Sequence, residues 1–495
     1  MTTKTEETMS ERPVHPWLKT IRVAFAPGPM SPMLESVATG ILEEFRRQGH
    51  QIQDDPTDET NVLLTTAPYG EPLGWRDALL FSVRRRFNLD HAPTIYTLMQ
   101  VTPDQLQSQL DHFEQALKKT PADPADFQFP GLAPDAYRVL VEQGLRGGPI
   151  MALERLLQAQ SKSIRIILVV GDDEPEVAYH FDLVGAHPRS PADDMDAFYK
   201  DIVLRTVTAA STDEVTEHKV VGEAIDRATW ESLSTVEAMR SAALELDKRN
   251  FFTEMVRIMD LVQVPAVGDA VASQYSEGCF ATWEPALDAL VATVTGSARP
   301  VDKGNITEDD VAVIAGLQPD GSGARVRHVE GKRNDPPSSE AVEMMDMDQV
   351  LPAVELDGDW AVSATVPVVR SKLHGHRAIG AYDPKAVEYV DLESPYYHYL
   401  VSCATEAQAQ GIKESFARSQ ALRDPTDPRQ IVFTVLPGHG CVIAEKWVEG
   451  KAPFQLMWEA MDSGALEIVN KIPQGPMRYS IGDDGRMHLE TLDQA

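Results

Sequence analysis

Six-to-eight-residue apolar runs alternate with amphipathic stretches through the first third of the chain, and this alternation restricts the fold more than any other feature. Ile21–Ala26 (IRVAFA) reads as a buried strand, and Ser31–Gln48 carries the apolar spacing of an amphipathic helix. The pattern recurs as strand Asn61–Ala67, helix Trp75–Phe87, strand Thr94–Gln100 and helix Pro103–Lys118, with Thr102 in the N-cap position. Strands separated by helices require crossover connections, and these produce a parallel sheet.

A Pro-rich stretch, Thr120–Pro134, precedes the strongest strand of the sequence, Ile164–Val170 (IRIILVV), which reads as the start of a second α/β unit. Strand Val177–Val184 follows. Helix signals then run from Met195 to Val262, with a break around Ala209–Val220 and a well-patterned helix over Ser232–Asn250. Another helix is expected from Thr282 to Thr293, and Gln318–Ser339 has the Gly, Asp, Pro and Ser content of a long loop. Beyond it, period-two stretches at Trp360–Val369, Lys385–Val390 and Ile431–Leu436 predict a mostly antiparallel sheet or barrel, with one helix at Ala404–Ser419. The expected class is α/β: two Rossmann-like parallel-sheet domains followed by a β-rich, barrel-like C-terminal domain. The boundaries expected are a disordered tail at 1–18, domains at 19–160 and 161–317, a linker at 318–340 and the β-rich domain at 341–495.

Charge narrows the partners. With 76 acidic and 45 basic residues the net charge is −31, which repels nucleic-acid phosphates and anionic lipid headgroups, and the basic run Arg84–Arg86 reads as a helix face. The three cysteines, Cys279, Cys403 and Cys441, are too few and too widely spaced for a disulfide framework or a CxxC metal site. A reducing, cytoplasmic setting is expected, without nucleic acid or membrane as partner. The longest apolar run, Ile164–Val170, is too short to span a bilayer.

Several residue groups carry possible chemistry. Gly28 stands in a Pro-Gly turn without the further glycines of a dinucleotide loop. Arg146, Gly147 and Gly148, with Gly144, lie before a helix and offer an anion site at its N-terminus, or else form a helix–helix connection. Asp172 and Asp173 follow the Ile164–Val170 strand, at the sheet edge where open parallel sheets place ligands, although such residues also serve as turn caps. His374 and His376, two apart on an extended segment, project from one face as a divalent metal requires. His439 occupies a Gly-flanked loop between strands, and a carboxylate such as Asp383 or Glu445 would complete a nitrogen and oxygen site. Glu277 lies in an acidic loop, and Cys279 beside it reads as a packing residue rather than a nucleophile.

The segment around Glu277 (SEGCFATWEPALDALVATVTG) and its continuation to residue 315 resemble the L-fucose and L-arabinose isomerases. In that family an acidic loop enters a helix, a short turn ends the helix, and a strand with acidic residues follows. The family's two Rossmann-like domains and barrel-like C-terminal domain are similar to the order read above. The resemblance implies a divalent metal, usually manganese, that polarises an open-chain sugar while carboxylates move a proton through an enediol. It places Glu277 at a metal-binding, catalytic glutamate. Cys279 stands where the family motif has an aspartate, and Val301–Leu317 offers no clear match for the second carboxylate or the following histidine. By resemblance the chain is a sugar isomerase forming homo-oligomers, trimers or hexamers. Two alternatives stay open at this point: a non-catalytic carbohydrate-binding or assembly protein on the same scaffold, and a transferase binding phosphate or a nucleotide-sugar at the Arg146 turn.

Overall fold

A computed structural model of the chain describes residues 18–66, 93–108, 111, 164–181, 186–190, 194–211, 217–256, 274–295, 301–345, 347, 368–392, 405–436, 439–469, 473 and 477–490. The expected elements Trp75–Phe87 and nearly all of Trp360–Val369 lie outside these residues, as do Arg146, Gly147, Gly148 and Cys403.

Seven strands form the first sheet: β1 (Arg22–Ala26), β2 (Gln51–Gln53), β3 (Val62–Thr66), β4 (Thr94–Val101), β5 (Ile164–Val170), β6 (Val177–Phe181) and β7 (Ala186–Arg189). Their order is β2-β1-β3-β4-β5-β6-β7. The first five run parallel, and β6 and β7 add antiparallel. Helix α1 (Pro32–Arg47) starts where Ser31 caps it, the Ser31 Oγ accepting from the Leu34 amide at 3.1 Å, and buries Leu34, Val37, Ile41 and Phe45. It packs against helix α2 (Met195–Ser211) in one apolar cluster with Val23, Leu64, Leu98 and Ile167. Gly40 permits that helix contact, since a Cβ there would stand 2.2 Å from the Tyr199 ring. Helical residues 103–108 open on a capping box, in which Thr102 and Gln105 each accept the other's amide proton.

The sheet corrects one expectation. β5 pairs with β4 over seven residues, so the strongest strand joins the first sheet instead of starting a second one, and the expected boundary at residue 160 falls between neighbours. A Pro-rich connection resembles a domain boundary in sequence, but strand pairing is decided by partners distant along the chain.

From residue 217 onward the texture changes. The remaining strands are β8 (Lys219–Val220), β9 (Thr253–Val256), β10 (Gln274–Glu277), β11 (Cys279–Glu284), β12 (Ala289–Thr293), β13 (Val311–Leu317), β14 (Ala324–Arg327), β15 (Val369–Gly375), β16 (Ala378–Tyr382), β17 (Val387–Tyr389), β18 (Ile431–Leu436), β19 (Gly440–Lys446), β20 (Leu466–Val469), β21 (Tyr479–Ile481) and β22 (Met487–Leu489). Nine of them form one sheet in the order β17-β18-β19-β15-β11-β12-β13-β14-β8. It is antiparallel except at its two ends, where β17 and β8 pair in parallel. Among the described residues it is an open sheet and no barrel closes. A four-stranded sheet, β20-β16-β22-β21, and the pair β9 and β10 complete the set.

Two further expectations change here. Thr282–Thr293 is no helix: β11 and β12 make a hairpin across Pro285–Asp288, where Asp288 takes φ +48°. Both strands are almost wholly buried, so their near-continuous apolar run also fits a helical period. The supposed linker 318–340 contains β14, which is paired on both sides within the sheet. The helix signal to Val262 likewise ends early, with β9 at Thr253.

The nine-stranded sheet is covered on both faces. One face packs with helix α3 (Thr235–Lys248) and a core holding Phe280, Leu373, Phe433 and Ile443. The other carries Cys279, Ala281, Val442 and Ala444 beneath helix α4 (Ser339–Glu343) and helix α5 (Glu406–Ala417). α5 matches the helix expected at Ala404–Ser419, and β18 matches Ile431–Leu436.

Candidate metal centre

β15 lies between β11 and β19, and its register sets His374 opposite Cys279 on one side and Val442 on the other. Both neighbours belong to the core under α4 and α5, so the His374 ring stands on that face. The chain then bends at His376 before β16 begins, rather than continuing extended. His439 sits in the turn into β19, its amide donating to the Leu436 carbonyl at 3.0 Å. Glycines let these backbones close on one another. A Cβ at Gly440 would lie 2.1 Å from the Gly375 carbonyl oxygen, and one at Gly278 would lie 2.9 Å from that of His374.

The result is a meeting of three imidazoles. His374, His376 and His439 are all buried, and one nitrogen from each lies within 4.8 Å of the others. The Nε2 atoms of His376 and His439 are 3.0 Å apart. Two nitrogen lone pairs at that distance repel, so a proton or a cation must lie between them. A tetrahedral ion with nitrogen ligands at ~2.05 Å separates them by ~3.3 Å, so the observed spacing is of the right size.

His374 supplies the most specific detail. Its Nδ1 is 3.1 Å from the Cys441 carbonyl oxygen, which only accepts, so the ring proton is on Nδ1 and the lone pair on Nε2. That Nε2 is buried with no hydrogen-bond partner among the described residues. Burial, with His376 beside it, lowers the His374 pKa to about 4, so the ring is neutral at physiological pH. A neutral imidazole fixed by a backbone carbonyl through its other nitrogen is the form in which histidine binds metal.

Charged groups stand behind the histidines. Lys303 and Lys372 are buried, the first donating to the Gly278 carbonyl and the second to that of Met344 at 2.8 Å. Burial works to raise the Glu340 carboxyl, but His374 in its protonated form and Lys303 outweigh it and hold the carboxyl below the usual carboxylate range. Glu343, one turn along α4, is pushed well above the carboxylate range by burial and by Glu340, and it accepts from Gln408 Nε2 at 2.8 Å. Sequence reading missed these residues. Only the SSEAVE helix start hinted at them, through two glutamates spaced to share a helix face.

The other expected site residues fall as follows. Glu277 ends β10, two positions before the residue that pairs with His374. Glu445 is not a ligand: it faces the opposite core and accepts the amides of Phe454, Leu456 and Met457 at the start of helix α6 (Gln455–Asp462). Asp383 is a turn residue whose Oδ1 accepts from the Lys385 amide. The Cys279 thiol is fully buried and burial raises its pKa well above the ordinary value, which suits packing and not nucleophilic attack. Asp172 is exposed at the carboxyl end of β5, and its carbonyl accepts from Gln100 Nε2 at 3.0 Å. Gly28 donates to Thr66 Oγ1 at 2.8 Å, and a Cβ there would meet the Thr66 carbonyl oxygen, so the glycine serves a close backbone approach.

No helix of the described residues is long and apolar enough to cross a membrane. Comparison with known proteins finds no matching family model, no similar curated protein and no similar solved structure.

Proposed function

We propose that this protein is a metal-dependent enzyme in which His374, His376 and His439 hold one divalent ion that acts as a Lewis acid on a small hydroxylated carbonyl substrate. The observation that carries this reading is the buried, unpartnered Nε2 of His374, turned to its lone-pair form by the Cys441 carbonyl. Three protein ligands rather than four is the number used by catalytic centres, which leave a position for water or substrate. Three imidazole nitrogens favour zinc or another late first-row ion over manganese, which prefers oxygen donors. Bound there, the ion would polarise a substrate carbonyl.

The chain's own residues have distinct tasks in this scheme. The Cys441 carbonyl orients His374, and the negative charge of Glu340 favours a cation beside it. Aldose–ketose interconversion is the first reaction to test. It requires a carboxylate to carry a proton between adjacent carbons, and Glu277 would have that role by its likeness to the isomerase motif and by its place two positions before the residue paired with His374. Against the likeness stands the hairpin at Thr282–Thr293, where the isomerase segment has a helix.

A second reading has its own support. The histidines are only 1, 7 and 4% exposed, as in a closed structural centre.

Metal analysis and cobalt substitution separate these readings. The proposal expects one ion per chain, with affinity reduced more than ~100-fold in His374→Ala and unchanged in Glu277→Gln. It also expects the cobalt spectrum to change when azide is added. A wild-type protein that binds no ion overturns the proposal, and a bound ion whose spectrum ignores azide replaces it with the structural reading. Activity on aldoses that survives His374→Ala overturns the catalytic role.

A further inference from the structure

At the opposite end of the nine-stranded sheet, a cavity of about 190 Å³ lies against β8, β13 and β14. β14 is four positions from β15 in the strand order, or ~19 Å at ordinary strand spacing, so this cavity is separate from the histidine centre. Its apolar part is formed by Val220, Ala312, Val326 and Pro336. Its polar part is unusual for a chain with a net charge of −31, since Arg327, Lys332, His218 and His328 all line it.

Asn334 in the wall spends its amide protons on the carbonyls of Val329 and Lys332, but other donors remain. The Arg327 side chain has no hydrogen-bond or ion-pair partner among the described residues, although it is only partly exposed. His218 Nδ1 accepts from the Ala324 amide at 3.1 Å, which puts the ring proton on Nε2 and makes that atom a donor. Lys332 spends two of its three N–H groups on the carbonyls of Val311 and Arg333, and burial lowers its pKa to about 8, so it is still mostly charged at neutral pH. The one carboxylate in the wall, Asp335, is ion-paired with Arg333 at 2.9 Å, and Lys332 is attracted by it and by Glu308, Asp309 and Asp310 behind the wall, so Arg327 is the charge left for a ligand.

We infer that this cavity is an anion site that takes the phosphoryl group of a small phosphomonoester. A guanidinium, an ammonium and imidazoles among the lining residues match the several oxygens of a tetrahedral anion better than the two of a carboxylate. The apolar wall suits the small organic part of the ester.

Calorimetric titration with inorganic phosphate, methyl phosphate and acetate tests this. It is done in the His374→Ala background, so that anion binding at the metal centre cannot contribute and failure of either proposal is seen separately. One saturable phosphate or methyl phosphate per chain is expected, weakened on the order of tenfold to a hundredfold by Arg327→Gln. Arg325→Gln is the charge control: Arg325 is exposed on the same strand and absent from the cavity wall, so binding should be unchanged. No saturable binding, equal loss in the two arginine variants, or acetate binding as tightly as phosphate would each overturn the inference. Thermal melts of both variants matching the parent exclude misfolding as the cause.

Discussion

The two large sheets bury different kinds of side chain. In the seven-stranded sheet and its helices the buried polar groups are mostly hydroxyls, such as Thr65, Thr206 and Thr208, which donate to backbone carbonyls. In the nine-stranded sheet and the segments packed on it, buried hydroxyls are joined by Lys303, Lys372, Glu343, Glu445, Arg377 and three histidines. Burying a charge costs several kcal/mol unless partners recover it, so a fold that needs only stability has little reason to collect them. The concentration of charge around β15 therefore points to chemistry there, whereas the first sheet reads as scaffold.

The largest expected effect tests this division directly. Phe45 in α1 and Phe280 in β11 are both fully buried, and truncation to alanine should cost about 3–5 kcal/mol at either position. The consequences for metal should differ. Phe280 adjoins Cys279, the residue paired with His374, so Phe280→Ala should lower metal content along with stability. Phe45→Ala should leave metal bound at temperatures where the protein is still folded. If chemical denaturation and metal analysis show metal lost equally in both, the two sheets work as one unit and the division fails.

The sequence revealed the histidines better than their surroundings. HGH places two imidazoles close together whatever the fold, and Gly-flanked His439 marks a turn, so all three histidines of the group were legible. Their meeting required β19 to pair with β15, which no local pattern encodes. Glu340 and Lys303 were illegible for the same reason: each is an ordinary surface residue type until tertiary packing covers it. The parallel strands β1, β3, β4 and β5 were legible as apolar runs, but the membership of β5 was not, because a long connection hides which strand it pairs with. The β11–β12 hairpin was misread because strands buried on both faces lose the alternation that identifies them.

A smaller effect, on the order of 2–3 kcal/mol, is expected from pH at Glu445. Burial raises its pKa from 4.5 to about 7 even though it accepts from Ser371 and three backbone amides. Folding therefore favours the protonated form. The folded state holds a proton between pH 4.5 and 7 that the unfolded chain has released, so stability from this group is full below about 4.5 and declines as pH rises to 7. Glu445→Gln should remove that decline. Urea unfolding across this pH range checks it, and a wild-type slope identical to that of the variant would mean the four donors keep Glu445 ionised throughout.

The smallest effects compare helix caps in the two regions. Ser31 accepts from Leu34 at 3.1 Å and also donates to Gln100, whose amide group holds the Gly171 carbonyl at 2.8 Å, so one side chain ties α1 to the ends of β4 and β5. Thr405 caps α5 through a longer contact, 3.4 Å to the Gln408 amide. Ser31→Ala should cost about 1 kcal/mol and Thr405→Ala about half of that. Thermal unfolding of the two variants gives the ranking. The reverse order would show that Thr405 acts beyond its own helix, through Gln408 and the buried Glu343 it holds, and would tie the stability of α5 to the charged groups behind the histidine centre.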